Sequence, residues 1–309
     1  MDEFERIAAF FAPLAAAAGR GLRDDAAVLQ PPQGRELVLT TDQMLAGIHF
    51  LPGDDPALIA RKLLRRNLSD LAAMGSIPLG YLLTTALPSD VPETWLARFA
   101  EGLRIDQQIF NLGLLGGDSS SARADISLTA TLIGHVMPGQ AIPRNGARVG
   151  DKLFVTGTIG DAALGLQARL GALADPTGFL VSRSLLPEPR VGLELAGLVS
   201  AAIDVSDGLI QDIGHICRES GVGAVIDANA VPTSPEAAAL GPDYLETRLT
   251  GGDDYELVLA VPPENVSLLR AACGALPVTE IGVFEAGAVV RVMQDHAAIK
   301  LSTPGWRHF

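Results

Sequence analysis

Segments with apolar residues at every second position alternate along this chain with segments whose apolar residues recur at helical spacing. That alternation restricts the fold to a mixed α/β class, in which strand and helix faces bury one another. Residues 36–41 read as a strand ending at Asp42, and 57–74 as a long helix stopped by Gly75 and Pro78. Further strands are expected at 81–87 and 126–136, with a helix at 93–111. A short apolar stretch, 112–115, runs into Gly116-Gly117-Asp118. Pro138, Gly139, Pro143, Gly146 and Gly150 then crowd a polar stretch that marks a boundary. The reading is therefore two domains, 1–137 and 138–309, which suits a 309-residue chain. The second restarts with strands at 152–156, 201–205, 255–261, 278–284 and 288–293 and helices at 160–170 and 208–219.

The opening apolar stretch, 7–18, follows Asp2, Glu3 and Glu5, the wrong charge for a signal peptide, and is too short to span a bilayer. It reads as an N-terminal helix of a cytoplasmic protein with no membrane partner. Cys217 and Cys273 lack metal-ligand spacing and read as reduced thiols. The net charge of −13 argues against nucleic acid as a partner, since phosphate neutralisation needs clustered cations. The three lysines, Lys62, Lys152 and Lys300, are each followed by leucine, so the chain has no Gly-Lys-Ser/Thr phosphate loop.

Aspartates recur where strands give way to loops or helices: Asp24-Asp25, Asp42, Asp118, Asp204 with Asp207, and Asp253-Asp254. Each alone is an ordinary turn former or cap. Asp70 differs, because it projects into the apolar arc formed by Ile59, Leu63 and Leu71, where a carboxylate needs a cation, hydrogen bonds or a raised pKa. Lys62, Arg65, Arg66 and Ser69 fall on the opposite side of that helix. Carboxylates that converge repel by roughly 3 kcal/mol per pair at about 5 Å. Bound cations resolve that repulsion, and oxygen-only donors with the Thr40, Thr41 and Ser206 hydroxyls point to Mg²⁺ or Ca²⁺. Magnesium completed by substrate phosphates describes a phosphoryl-transfer site in an acidic, lysine-poor protein. The glycines of Gly116-Gly117, 157–160 and Gly251-Gly252 allow close approach to a ligand, and the amides at 157–160, before a helix, could face an anion. Arg144 and Arg148 could clamp phosphate.

Six segments, in order, resemble the thiamine-monophosphate kinase family: Arg23-Asp-Asp-Ala-Ala-Val28, Thr40-Thr-Asp-Gln-Met-Leu-Ala-Gly-Ile-His-Phe50, Asn67-Leu-Ser-Asp-Leu-Ala-Ala-Met-Gly75, Gly116-Gly-Asp118, Ile203-Asp-Val-Ser-Asp-Gly-Leu209 and Gly251-Gly-Asp-Asp-Tyr-Glu-Leu257. The resemblance implies the two-domain α/β (α+β) fold of aminoimidazole ribonucleotide synthetase, with an N-terminal sheet domain that dimerises and a C-terminal α/β domain. It implies ATP-dependent conversion of thiamine monophosphate to thiamine diphosphate, with several Mg²⁺ ions, in a homodimer. Asp25, Thr40, Thr41, Asp42, Asp70, Asp118, Asp204 and Asp207 are its magnesium set, with Asp42 and Asp118 acting on the reaction through the metal. Gly117, Asp118, Arg144 and Ser206 are its ATP contacts, and His49, Asp253 and Trp306 its substrate contacts. The motifs hold no Ser–His or Cys–His dyad that would make a covalent nucleophile. The family has glycine where Arg23 stands, a departure that bears on the backbone before Asp24-Asp25. Selenophosphate synthetase, of the same fold, carries a reactive cysteine near its N-terminus, whereas the first cysteine here is Cys217.

Overall fold

The computed structural model describes residues 3–306 and divides into two units. The first comprises residues up to Leu71 together with Ser76–Gly139, and the second Ala72–Gly75 with the chain from Gln140 onward.

The first unit opens on α1 (Glu3–Arg6), a π-helical turn at Ile7–Phe11 and 3₁₀ turns at Ala12–Leu14 and Ala17–Leu22. The single helix expected over 7–18 is thus broken, and Pro13, which lacks an N–H to donate, sits where it breaks. Arg23 has φ −110° and ψ −7°, an ordinary conformation for any residue, so its departure from the family glycine strains nothing. The left-handed conformations fall before it, at Arg20, Gly21 and Leu22.

Then follow β1 (Glu36–Leu45), α2 (Pro56–Ala73), β2 (Ile77–Leu87), α3 (Glu93–Phe110), β3 (Gly113–Ser121) and β4 (Ser127–Val136). They form a four-stranded sheet in the order β1-β4-β2-β3. β2 and β3 run parallel with α3 as their crossover, and the other pairs are antiparallel. Leu63, Leu64, Leu68 and Leu71 of α2 are fully buried, each worth about 1.5–3 kcal/mol. The opposite side of α2 is no solvent face, since Lys62, Arg65 and Ser69 are buried as well. Asp106 of α3 explains the arginine: Arg61 Nε and Arg65 Nε donate to its two oxygens at 2.9 and 2.7 Å.

The second unit is built on a seven-stranded sheet, ordered β11-β10-β7-β9-β5-β8-β6. Its strands are β5 (Lys152–Thr156), β6 (Ala201–Asp204), β7 (Gly223–Asp227), β8 (Leu257–Val261), β9 (Val278–Glu285), β10 (Val290–Gln294) and β11 (Ala297–Ile299). The helices are α4 (Asp161–Arg169), α5 (Phe179–Leu185), α6 (Leu209–Ser220), α7 (Pro235–Ala239), α8 (Leu245–Thr250) and α9 (Val266–Cys273). Central strands β5 and β8 are buried almost throughout, as strands covered on both faces must be. One core cluster joins Leu153, Ile203 and Val258 to Ile213 and Ile216 of α6, and another gathers Phe154, Leu257, Leu259 and Leu269. No described helix is long and apolar enough to cross a membrane.

Candidate active site

In the first unit, strand alternation decides where the acidic motif residues point. Thr40 and Asp42 share the face of β1 that meets α2. There the Thr40 hydroxyl donates to Asp70 Oδ2 at 2.5 Å, and Arg66 Nε lies 3.8 Å from Asp42 Oδ2. Asp70 is therefore half-buried against a hydroxyl rather than lost in the apolar arc. Asp42 stands inside β1, not at its end, because pairing with β4 continues to Leu45. Thr41 faces the other way, where it donates to the Ala130 carbonyl at 3.2 Å and accepts from the Thr131 hydroxyl at 3.0 Å.

Asp118 belongs to that opposite face. It lies within β3, paired in register with Thr84 of β2. With Asp24, Asp25, Gly116 and Gly117 it lines a cavity of about 700 Å³ whose apolar wall includes Ile7 and Phe11. A Cβ on Gly117 would overlap the Leu83 carbonyl oxygen, so only glycine lets β3 approach β2 this closely. Asp24 is held by Arg20 at 2.6 Å, and Asp25 is exposed. His49 lies in the turn after β1, where its Nδ1 accepts the Leu45 N–H at 3.0 Å, so the neutral ring carries its proton on Nε2.

In the second unit, β6 delivers buried Asp204 to the start of the Ser206-Asp207-Gly208 loop. One oxygen of Asp212 accepts all three N–H groups of that loop, from Ser206, Asp207 and Gly208, at 3.0, 3.1 and 3.2 Å. Burial, then the charge of Asp204, drives the Asp212 carboxyl well above the usual range. Asp212 is absent from the sequence-derived set; its only signal there is an acid in the first turn of a helix. Ligand atoms of Asp207, Asp212 and His215 lie within 4.8 Å of one another. Burial and the guanidinium groups of Arg218 and Arg144 lower the His215 pKa. The exposed Arg144 thus belongs to this neighbourhood, and Ser220 donates to its carbonyl at 3.1 Å.

Two other motif residues are brought to the same loop. Asp253 donates its N–H to the Ser206 carbonyl, and Trp306 donates its own to the Asp207 carbonyl, both at 2.9 Å. Gln211 Nε2 ties the group together by donating to Asp207 Oδ2 at 3.1 Å and to the Trp306 carbonyl at 2.8 Å. The Trp306 residue stays 56% exposed. A Cβ on Gly252 would overlap the Ser206 carbonyl oxygen, which is why the two loops can pack backbone against backbone.

The glycine loop before α4 does not serve as expected. Asp254 fills it: its two oxygens accept from Gly160 N at 2.6 Å and Ala162 N at 3.1 Å. The chain's own carboxylate thus occupies the helix N-terminus offered to an external anion. Burial pushes the Asp254 carboxyl up to about 8, against the pull of those two amides. Next to it, buried Glu256 accepts from Thr156, Arg183 and Arg190.

Comparison with known proteins accounts for this arrangement. Residues 23–136 match the AIR synthase related protein N-terminal domain and 148–295 the C-terminal domain. Thiamine-monophosphate kinase of Caulobacter vibrioides is 42% identical, covering 99% of this chain and 90% of that protein. The enzyme of Escherichia coli K12 is also 42% identical, over 94% of this chain and 91% of its own. The chain belongs to the thiamine-monophosphate kinase family. Among solved structures, the kinase of Stenotrophomonas maltophilia superposes with a TM-score of 0.82 at 38% identity, covering 90% of this chain and 91% of that one. AaThiL complexed with AMPPCP and TMP gives 0.80 at 32%, over 93% and 91%. Hydrogenase maturation protein HypE, at 19% identity and a TM-score of 0.79, shares the fold. The two-domain α/β architecture expected from the motifs is thus that of the AIR synthase family, as this family builds it.

Proposed function

We propose that this protein transfers the γ-phosphoryl group of ATP to thiamine monophosphate, yielding thiamine diphosphate and ADP. The relative that carries this reading is the AaThiL complex, which was solved with AMPPCP and TMP and matches nearly the whole chain. The P–O bond to the β-phosphate bridging oxygen breaks as a new P–O bond forms to an oxygen of the acceptor phosphate. That acceptor is already ionised at neutral pH, so alignment and charge neutralisation matter more than a base. No side chain is phosphorylated on the way, in keeping with the lack of a nucleophile–base dyad in the motifs.

The oxygen-only donors Asp25, Thr40, Thr41, Asp42, Asp70, Asp118, Asp204 and Asp207 fit Mg²⁺. Consecutive strand residues face opposite ways, so Thr40 and Asp42 serve one face of the sheet and Thr41 and Asp118 the other, or contribute through backbone carbonyls. When bound, the metal would offset the negative charge of the triphosphate. We assign ATP contacts to Gly117, Asp118, Arg144 and Ser206, and thiamine monophosphate contacts to His49, Asp253 and Trp306. His49 offers a donor to a phosphate oxygen from Nε2, Asp253 a carboxylate to a cationic or N–H-bearing ring, and Trp306 an aromatic face worth about 0.5–2 kcal/mol to a cation.

We also assign a homodimer, formed through the outer face of the four-stranded sheet. Leu37, Leu39 and Leu82 stand there 40, 63 and 38% exposed, a grouping that favours a protein partner. Two buried free thiols, Cys217 and Cys273, suit the cytoplasm. The test of the activity is incubation with MgATP and thiamine monophosphate, with thiamine and aminoimidazole precursors as controls. Thiamine diphosphate and ADP are expected in equal amounts; folded protein that forms none at millimolar substrate refutes the assignment.

A further inference from the structure

Asp253 stands in an unusual piece of backbone. It has φ +72°, and Tyr255, two residues on, has φ +53°, both left-handed and neither glycine. Such residues persist only where their surroundings hold them. Here the holding groups are visible. Asp254, between them, is pinned through both carboxylate oxygens to Gly160 N and Ala162 N. Its carbonyl accepts from Arg183 Nη2 at 3.4 Å. The Asp253 and Tyr255 amides donate to the carbonyls of Ser206 and Val205 at 2.9 and 2.8 Å.

This double reversal turns the Tyr255 ring inward and brings its hydroxyl back to its neighbour. Tyr255 is 1% exposed, yet its OH donates to Asp253 Oδ1 at 3.0 Å. A buried tyrosine hydroxyl needs a partner, and this one takes it from a half-buried carboxylate. The bond fixes the torsion of the Asp253 carboxylate and occupies one oxygen. The backbone N–H of the same residue is anchored on the Ser206 carbonyl at 2.9 Å, so both ends of Asp253 are held.

We propose that Tyr255 is a positioning residue for thiamine monophosphate, acting through Asp253. The inference rests on the assignment of Asp253 as a substrate contact. A freely rotating carboxylate would lose rotamer entropy when it binds a ring cation or amine; the tyrosine settles that orientation before substrate arrives. The effect belongs to binding of the acceptor and not to ATP or to the transfer step.

The test compares Tyr255→Phe, which removes only the hydroxyl, with Asp253→Asn, measuring kcat, KM for each substrate and melting temperature. The expected result for Tyr255→Phe is a KM for thiamine monophosphate raised about fivefold, as loss of one hydrogen bond implies, with kcat and the KM for ATP unchanged. Asp253→Asn should raise the same KM by more. A lowered melting temperature with both KM values unchanged in Tyr255→Phe, while Asp253→Asn raises the acceptor KM, overturns the positioning role and leaves Asp253 assigned. An unchanged acceptor KM in Asp253→Asn overturns both.

Discussion

The hydroxyl of Thr40 on β1 donates to Asp70 on α2 at 2.5 Å, joining two motifs 30 residues apart in the chain. A carboxylate set into an apolar helix arc thereby gains a polar partner, and its charge can be kept for a cation. Asp70→Asn should retain the fold, lower turnover and raise the magnesium concentration needed for half-maximal rate. Thr40→Val, which keeps the carboxylate but removes its donor, should have the same direction with a smaller effect. Melting curves and turnover against magnesium concentration separate this from a purely structural role, in which stability falls and the magnesium requirement of the folded enzyme stays put.

Asp42 shares its face of β1 with Thr40 and lies 3.8 Å from Arg66. Asp42→Asn keeps the volume and removes one charge from the proposed metal set. Loss of about 3–4 kcal/mol of transition-state stabilisation would reduce kcat by 10²–10³. The 3.8 Å ion pair with Arg66 is lost too, so a modest drop in melting temperature accompanies the change. Near-normal kcat at limiting magnesium would remove Asp42 from the set.

The sequence reveals elements whose apolar period is long and regular, such as α2 and α3, and it places β5 at its observed bounds. It does not reveal β7, α7 or α8, which are short and take their stability from packing. It hides the role of Arg65 too, since an arginine on the side of a helix away from its apolar arc looks solvated until Asp106 of α3 is seen beneath it. The motif aspartates stand out in the sequence as a group, but not the division of Asp42 and Asp118 between the two faces of one sheet. Asp254 shows the limit best: of two adjacent aspartates, one caps a helix from its own chain and the other lies beside Ser206. Only long-range contacts distinguish them.

Asp106 also yields a stability prediction. It is fully buried between Arg61 and Arg65. Removing the carboxylate takes the shared counter-charge from the buried Arg65 and the partly buried Arg61. Asp106→Ala should cost about 3–5 kcal/mol, seen in urea unfolding, with little change in KM for either substrate in protein that remains folded.

Leu39 is 63% exposed on the outer face of β1, level with Ile133 of β4. A carboxylate there is harmless to a monomer and costly inside an apolar interface. Leu39→Asp should convert a dimer to monomer in sedimentation while leaving the circular dichroism spectrum unchanged. A wild type that sediments as a monomer, or a dimer that Leu39→Asp leaves intact, would refute the proposed dimer face.

Asp254 makes stability depend on pH. Burial raises its carboxyl to about 8, whereas in the unfolded chain it titrates near 4. Between those values the native protein keeps a proton that unfolding releases. The Asp254 contribution is therefore fully present below about pH 4 and is lost as pH rises through about 8. Asp161, raised by burial in the same region, acts in the same direction, and the Arg183 guanidinium opposes both. Asp254→Asn cannot titrate, and its amide accepts from Gly160 N while turning an NH₂ toward Ala162 N. The variant should melt below the wild type at pH 5, by an amount in keeping with one buried donor left unpaired, about 1–3 kcal/mol. As pH rises to 8 the wild type should lose stability faster, so that the gap between the two narrows. Asp212 is common to both proteins and cancels, so the difference in melting temperature reports Asp254 together with its coupling to Asp161. A gap that stays constant from pH 5 to pH 8 would show that Asp254 is ionised throughout and caps α4 as a carboxylate.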